Sequence, residues 1–242
     1  MLELLTDPQV WAALVTLTVM EIVLGIDNIV FISIVVARLP SLQAKRARQI
    51  GLFLALGFRI ALLSVLTWLI GLTEPLFTVM EKAISWRDLI LILGGLFLFY
   101  KATTEIHNGI EGEDEHGPEK KQASFLAIVA QIIVIDIIFS IDSIITAIGM
   151  AENIEVMIAA VVIAVAVMYA ASGPIASFIK EHPTTKMLAL AFLLLIGVAL
   201  MADGIGFHIP RGYIYFAMAF SAGVEVINVI ARSRRKKARQ NA

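Results

Sequence analysis

The sequence contains no cysteine and has few charged residues. The absence of cysteine excludes disulfide bonds and thiolate metal ligands. Charged residues make up 16% of the 242 residues and hydrophobic residues 59%, with a mean hydropathy of +0.88. Soluble domains carry about 25% charged and roughly 45–50% apolar residues. The composition therefore argues against a soluble enzyme and predicts an integral membrane protein.

The apolar residues fall into blocks that are long enough to cross a bilayer. A helix of about 20 residues spans the roughly 30 Å of hydrocarbon. We predict an all-α fold in which one membrane domain fills residues 1–242, without a cleaved signal peptide. The predicted spans are roughly 10–37, 50–72, 88–107, 123–149, 155–179, 187–207 and 212–231.

The short loops differ in their content of Lys and Arg, which sets orientation. The basic set is the loops 38–49, 108–122 and 180–186 with the tail 232–242, and the poor set is the loops 73–87, 150–154 and 208–211. We predict a multi-pass protein of the bacterial inner membrane with its N-terminus outside and its C-terminus in the cytoplasm. The basic tail is interpreted as a topology signal rather than a nucleic-acid or anionic-lipid site. The acidic loop 108–122 is interpreted as a solvated linker, with a cytosolic cation collector as the alternative.

Two predicted spans contain the same pattern of acidic residues. The first reads Glu21-Ile-Val-Leu-Gly-Ile-Asp27-Asn28-Ile, and the fourth reads Asp136-Ile-Ile-Phe-Ser-Ile-Asp142-Ser143-Ile, at a constant offset of 115. Because the copies lie three spans apart, they run in opposite directions through the membrane. This predicts an inverted-topology repeat, with repeat one at about 10–107, repeat two at about 123–207 and a seventh helix left over. Such repeats build transporters whose substrate site lies near the midplane.

Helical geometry puts the polar residues of each motif on two faces. In the first motif Glu21, Gly25 and Asn28 share one face, and Asp27 lies about 120° away on an ideal helix. Either each helix has two polar faces or it opens locally near Gly25 and near the equivalent Ser140. We favour some opening at Gly25, because glycine is the poorest ordinary helix former.

The intramembrane acids outnumber the bases that we expect at the same depth. The acids are Glu21, Asp27, Asp136 and Asp142, with Glu225 in the seventh span and Asp203 at the end of the sixth, and the bases are Arg59 and Lys101. A charged carboxylate at the bilayer centre costs roughly 2.5–3.5 kcal/mol. We predict that some of these acids are protonated or bind a cation. The alternative is that ion pairs with the two bases only fix helix register.

The candidate metal ligands offer oxygen atoms only. They are Glu21, Asp27, Asn28, Asp136, Asp142 and Ser143. Such a set suits Mn²⁺, Ca²⁺ or Mg²⁺ better than Zn²⁺ or Cu⁺. Secondary candidates are Arg59, Lys101, Glu105, Asp203 and Glu225, of which Lys101 and Glu105 are interpreted as an i,i+4 pair with gating as the alternative.

Several stretches resemble the TerC family of integral membrane proteins. They are EIVLGIDNIVF at 21–31, FSIDS at 139–143, Lys101 with Glu105, Asp203-Gly204, and the segment 208–221 with Glu225. The resemblance covers essentially the whole chain and is greatest to short inner-membrane members without CBS or CorC-like domains. It implies seven helices and a place among cation exporters, several of which are associated with manganese efflux or with metal supply to exported enzymes.

The sequence therefore predicts a transporter that exports a divalent cation, with manganese favoured. In this hypothesis Asp27 and Asp142 hold the ion with Asn28 and Ser143, between the first and fourth spans. The alternatives are a proton-coupled carrier of calcium or another cation, and a non-transporting scaffold in metal or tellurite stress resistance. No HExxH or GxSxG motif is present, so we expect no enzyme activity. We expect lipid and the cation as partners, no nucleic acid and no tightly bound cofactor, and leave a homo-oligomer or membrane partner open.

Overall fold

A computed structural model describes residues 7–79, 82–111, 124–148 and 153–240 of the chain. Within these ranges seven helices are long and apolar enough to cross a bilayer, which confirms the predicted all-α membrane fold. The helices are α1 (Pro8–Val36), α2 (Ser41–Ser64), the short α3 (Leu66–Gly71), α4 (Trp86–Glu111), α5 (Phe125–Ile148), α6 (Ile154–Glu181), α7 (Pro183–Gly204) and α8 (Arg211–Gln240). The predicted acidic loop lies outside the described residues beyond Glu111, together with both of its interpretations.

A β-hairpin between α3 and α4 lies where the sequence predicted only a loop, at 73–87. Strands β1 (Pro75–Val79) and β2 (Lys82–Ser85) pair antiparallel. The end of the bundle that carries them is called the hairpin end below. The opposite end, where α1 leads to α2 and α6 to α7, is called the basic end.

The second and seventh predicted spans have different limits in the structure. The helix predicted at 50–72 begins at Ser41 and ends at Ser64, so that most of the basic segment 38–49 is helical. The last helix begins at Arg211 rather than after it and continues to Gln240. Hydropathy underestimates the length of the helical segment at the charged end of each helix, because the charged turns continue the backbone hydrogen bonding beyond the apolar block.

Side chains at two helix starts explain where those helices begin. The carboxylate of Asp7 accepts a hydrogen bond from the Gln9 N–H at 2.8 Å, ahead of a proline that suits the first helical position. At the start of α4, Asp88 Oδ2 accepts from the Ser85 N–H at 2.8 Å and from the Ser85 hydroxyl at 2.7 Å. The Asp88 N–H donates back to Ser85 Oγ at 3.2 Å, which completes a capping box. This cap places Arg87 inside the first turn of α4.

The packing of the spans follows a regular pattern. The most extensive helix contacts are α4 with α7, α1 with α6, α2 with α5, α2 with α6 and α1 with α5. Exchange of the first three spans with the next three leaves this set of pairs unchanged. The pattern agrees with an inverted repeat, which itself stays a prediction. Helices α1 and α5, which carry the two motifs, contact each other and contribute to both buried apolar clusters.

Glycines allow close helix packing at two places. A Cβ on Gly95 would lie 2.5 Å from the backbone oxygen of Gly197, so α4 and α7 touch backbone to backbone. A Cβ on Gly25 would lie 2.2 Å from Met168 Sδ of α6. Helix α1 is continuous through Gly25, and α5 is continuous through Ser140. The opening expected at Gly25 is therefore wrong, and Gly25 makes room for α6 instead.

The last helix is the least buried of the seven spans. Only 11% of the span in α8 is buried, against 28–61% in the others, and α7 supplies its main contacts. An apolar crevice of about 720 Å³ separates α8 from α1 and α6. Few contacts therefore hold α8 against the bundle.

Candidate functional site

Arg59 of α2 joins the two motif helices deep inside the bundle. Its Nη1 lies 2.5 Å from Glu21 Oε2 of α1, and its Nη2 lies 2.9 Å from Asp136 Oδ1 of α5. Its Nε donates to Asp136 Oδ2 at 3.3 Å, so the contact with Asp136 is bidentate. The guanidinium is 3% exposed. One positive charge thus faces two buried carboxylates.

Further donors complete the shell around Asp136. The Asn28 amide donates to Oδ1 at 3.2 Å, and the Ser140 hydroxyl donates to Oδ2 at 3.2 Å. Each carboxylate oxygen therefore accepts two hydrogen bonds, which fills its usual capacity. The Ser143 hydroxyl donates to the Ser140 carbonyl at 3.3 Å, within its own helix. An ion could reach Asp136 only by displacing one of these donors.

Asp142 belongs to a second cluster, at the hairpin end. Its Oδ1 lies 2.5 Å from Arg87 Nη2, and its Oδ2 pairs with Arg211. Arg211 Nη2 also lies 3.5 Å from Asp203 Oδ2, and His208 Nδ1 lies 3.1 Å from Asp203 Oδ1. Arg211 therefore bridges two carboxylates that come from α5 and α7.

Among the described residues, Asp27 is the buried acid that no base pairs with directly. It is 4% exposed, and its Oδ1 has no hydrogen-bond partner within the described ranges. It lines a cavity of about 10 Å³ together with Asp203, Arg211 and Tyr215. That volume corresponds to about one water-sized body. Asp27 thus faces a space that one bare ion or one water would fill.

The structure divides the predicted ligands between these two clusters. Glu21, Asn28 and Asp136 lie around Arg59, whereas Asp27 and Asp142 lie near Arg211, and no group of three or more acidic or histidine side chains is placed to hold a metal ion anywhere in the described chain. The predicted single ion between Asp27, Asn28, Asp142 and Ser143 is not assembled in this structure. Arginines pair with Glu21, Asp136 and Asp142 instead. The ligand role of the six residues stays a prediction.

The two bases that the ion-pair alternative named have different partners in the structure. Arg59 is buried between two motif acids, as that alternative proposed. The predicted pair of Lys101 with Glu105 does not form, because Glu105 pairs with Arg38 at the basic end. Glu225, a secondary candidate, accepts hydrogen bonds from the Thr184 and Thr185 hydroxyls and joins neither cluster.

Two functional candidates were missed because the sequence placed them in loops. Arg87 and Arg211 were assigned to the basic-poor loops 73–87 and 208–211, yet both reach the buried Asp142. The signal for Arg87 is Ser85-Trp-Arg-Asp88, a serine and an acid at capping-box spacing before an apolar run. Arg211 comes directly after Pro210, at the start of the last apolar block. The bases of the site therefore sit in first helical turns, at the edge of the apolar blocks.

Comparisons with known proteins agree over nearly the whole chain. Residues 6–240 match the model of the integral membrane protein TerC family. The UPF0053 inner membrane protein YgdQ of Escherichia coli K12 is 54% identical over 230 residues, which cover 95% of this chain and 97% of YgdQ. A UPF0053 protein of Haemophilus influenzae is 53% identical over 233 residues, or 96% and 98% of the two chains.

Some relatives are much longer than this chain. The UPF0053 inner membrane protein YoaE of E. coli K12 is 53% identical over 232 residues, which cover 96% of this chain but 45% of YoaE. The chain therefore spans about half the length of that relative. No solved structure matches the chain significantly.

Proposed function

This chain belongs to the TerC family of integral membrane proteins, and we propose that it exports a divalent metal cation, with manganese favoured, across a bacterial inner membrane. One observation carries the proposal: the unpartnered Oδ1 of Asp27 lies buried beside a cavity of about 10 Å³. A carboxylate at the bilayer centre costs roughly 2.5–3.5 kcal/mol. A bound cation would offset that cost at Asp27. If no cation bound there, an apolar residue at the same position would avoid the cost altogether.

The chemistry of the cavity favours a divalent ion that sheds water readily. Asp27 and Asp203 line it, and Asp142 pairs with Arg211, which also lines it, so these three acids can supply hard oxygen ligands. About 10 Å³ leaves no space for an organic cation or for an ion with its hydration shell. Mg²⁺ loses its waters reluctantly. Mn²⁺ and Ca²⁺ therefore fit this site better than Mg²⁺.

Arg211 would compete with the transported ion for the same carboxylates. Its guanidinium bridges Asp142 and Asp203, and it lines the cavity beside Asp27. An arriving divalent cation replaces this positive charge, so the acids keep a counter-charge in both the empty and the loaded states. Glu21 and Asp136 are already engaged by Arg59, and in this proposal they hold α1 to α5. The pairing of the spans supports alternating access between two repeats.

Two other functions use the same residues. A proton-coupled carrier of calcium or another cation needs the same oxygen ligands and differs only in its preferred ion. A non-transporting scaffold in metal or tellurite stress resistance is favoured by a specific observation, because Glu21, Asp136 and Asp142 already form ion pairs with arginines. The scaffold predicts no flux and no metal binding.

Flux through purified protein in proteoliposomes tests the proposal. We expect Mn²⁺ transport by the unaltered chain, measured with and without a pH gradient, and competition by Ca²⁺ above Mg²⁺. Asp27→Asn should abolish transport, because it removes the charge that faces the cavity. Glu74→Gln is the matched control, since Glu74 is exposed at the hairpin end. Undiminished flux through Asp27→Asn would exclude this site.

A further inference from the structure

A second small cavity lies on the same helix interface as the Asp27 cavity, nearer the basic end. It also measures about 10 Å³. The end of α1 and the turn after it line this cavity with Phe31, Ile34, Val35 and Arg38. Helix α7 contributes Leu190 and Leu193, and α5 contributes Gln131. The remaining lining residues come from α4 and are Leu98, Lys101, Ala102 and Glu105. The Asp27 cavity uses the next residues of the same stripe on α7, which are Ile196, Ala199, Leu200 and Asp203.

The two cavities therefore follow one seam between α1 and α7. On α1 the lining residues Asp27, Phe31, Ile34 and Arg38 recur every three or four positions, which is the spacing of a single helix face. The α7 residues of both cavities recur at the same spacing. Arg38 lies eleven positions after Asp27, and at 1.5 Å per residue this is about 16 Å along the helix axis. That distance is half of the hydrocarbon thickness.

We propose that the transported cation moves along this seam, which two ion pairs close: Arg211–Asp142 at the hairpin end and Arg38–Glu105 at the basic end. The inference rests on the proposed transport function and assigns its route and its gates. Between the gates lie apolar side chains that are almost fully buried, among them Phe31 at 2% and Leu193 at 3% exposure. Both gates are closed in this structure.

The gate at the hairpin end is attached to the helix that the bundle holds least. Arg211 is the first residue of α8. Because α8 contacts mainly α7 and borders the apolar crevice, its movement breaks few contacts with the other spans, chiefly those of Ile214 and Met218. Arg87 stays on Asp142 when Arg211 leaves, so that carboxylate keeps one partner.

The gate at the basic end lies at the boundary with water. The side chain of Arg38 is 37% exposed and that of Glu105 is 14% exposed. Solvent screening weakens an ion pair at such a position, in contrast to the Arg59 pairs in the dry interior. Lys101 lines the same cavity and adds a positive charge that opposes passage of a cation while the gate is closed. Arg59 lines neither cavity, so it is not a gate.

The absence of cysteine from the whole chain makes this route directly testable. Val35→Cys places one thiol in the wall of the cavity nearer the basic end, at a residue that is 6% exposed. We expect slow modification by a charged methanethiosulfonate reagent in the Val35→Cys chain, and at least tenfold faster modification after Arg38→Gln is added. Arg46→Gln is the matched control, because Arg46 is an exposed base at the same end. It should leave the rate unchanged.

Flux measured on the same proteins gives the second readout. Modification of Val35→Cys should stop Mn²⁺ flux, and reduction of the mixed disulfide should restore it. Leu42→Cys, at an exposed position of α2, should be modified quickly without any loss of flux. Arg38→Lys keeps the charge and should behave like the unaltered chain, which separates loss of the gate from misfolding.

The outcomes distinguish the route from the transport function itself. Equal modification rates with and without Arg38→Gln, or full flux through the modified Val35→Cys protein, would overturn the route while Mn²⁺ transport by the unaltered chain still supports the function. If the unaltered chain carries no divalent cation, both proposals fail. Faster modification with reversible block of flux supports both.

Discussion

Replacement of Arg59 by methionine should destabilise the protein strongly. The change removes ion pairs of 2.5 Å to Glu21 and 2.9 Å to Asp136 and leaves two carboxylates buried without their base. Loss of one partner from a buried pair costs about 3–5 kcal/mol. We expect one such loss rather than two, because Asn28 and Ser140 still donate to Asp136. In a chain of this length that free energy lowers Tm by roughly 6–20 °C.

Thermal unfolding in detergent measures this cost, followed by the fluorescence of the 3 tryptophans. The triple variant Arg59→Met, Glu21→Gln, Asp136→Asn is the matched control. It removes all three charges together, so no carboxylate is left buried without its base, and only the smaller cost of burying two amides remains. Most of the lost Tm should therefore return. A single Arg59→Met variant that melts within about 2 °C of the unaltered protein would refute the reasoning.

The same triple variant separates a structural role from a transport role. If Glu21 and Asp136 only hold α1 to α5, the variant with restored Tm should still carry Mn²⁺ in proteoliposomes. Restored stability without transport would instead assign these two acids to ion binding, as the sequence pattern predicted.

Three further predictions concern packing, helix capping and competition for the site. Gly95→Ala should lower the free energy of unfolding by about 1–3 kcal/mol, because the new Cβ meets the Gly197 backbone oxygen at 2.5 Å. Gly57→Ala is the control, since a Cβ at Gly57 meets nothing within 4 Å. Equal Tm values for the two variants would contradict the close approach. Ser85→Ala removes the cap of α4 and should lower the free energy of unfolding by about 0.5–2 kcal/mol. Ser64→Ala loses only a hydrogen bond to its own helix and should melt like the unaltered protein. A larger loss of stability in Ser64→Ala than in Ser85→Ala would contradict the capping role of Ser85. Arg211→Gln should lower the Kd for Mn²⁺ about tenfold or more, because each 1.4 kcal/mol of competition that is removed changes the Kd by a factor of ten. Metal-dependent thermal stabilisation measures this Kd. Unchanged or weaker binding of Mn²⁺ would exclude competition by Arg211.

Hydropathy predicted the seven spans, because a long apolar block in a membrane protein has hardly any alternative to a helix. It did not predict the hairpin at 75–85, since two short strands carry no comparable signal. The limits of α2 and α8 were wrong for a related reason. Charged turns at the ends of these helices lie where lipid gives way to water, and hydropathy does not distinguish them from loops.

The motif residues were found from the sequence, but their partners were not. Glu21, Asp27, Asp136 and Asp142 stand out because charge is rare inside apolar blocks. Arginines at block edges look like ordinary topology signals, although a long side chain in a first helical turn can reach several ångströms into the bundle. The helix opening expected at Gly25 was wrong. The sequence shows that Gly25 lacks a side chain, but it does not show that Met168 occupies the space this leaves.

Arginine suits the competing role at the Asp27 cavity better than lysine. Its guanidinium can engage Asp142 and Asp203 at once, as Arg211 does, and it keeps its charge at any physiological pH. The cluster at the hairpin end is then neutral when empty apart from Asp27, and one divalent ion that displaces Arg211 matches the charge of two carboxylates. Asp27 and Asp203 both face the space that a withdrawn guanidinium would leave. Such a site binds a divalent ion only when Arg211 moves, so loading of the ion and movement of α8 become a single event.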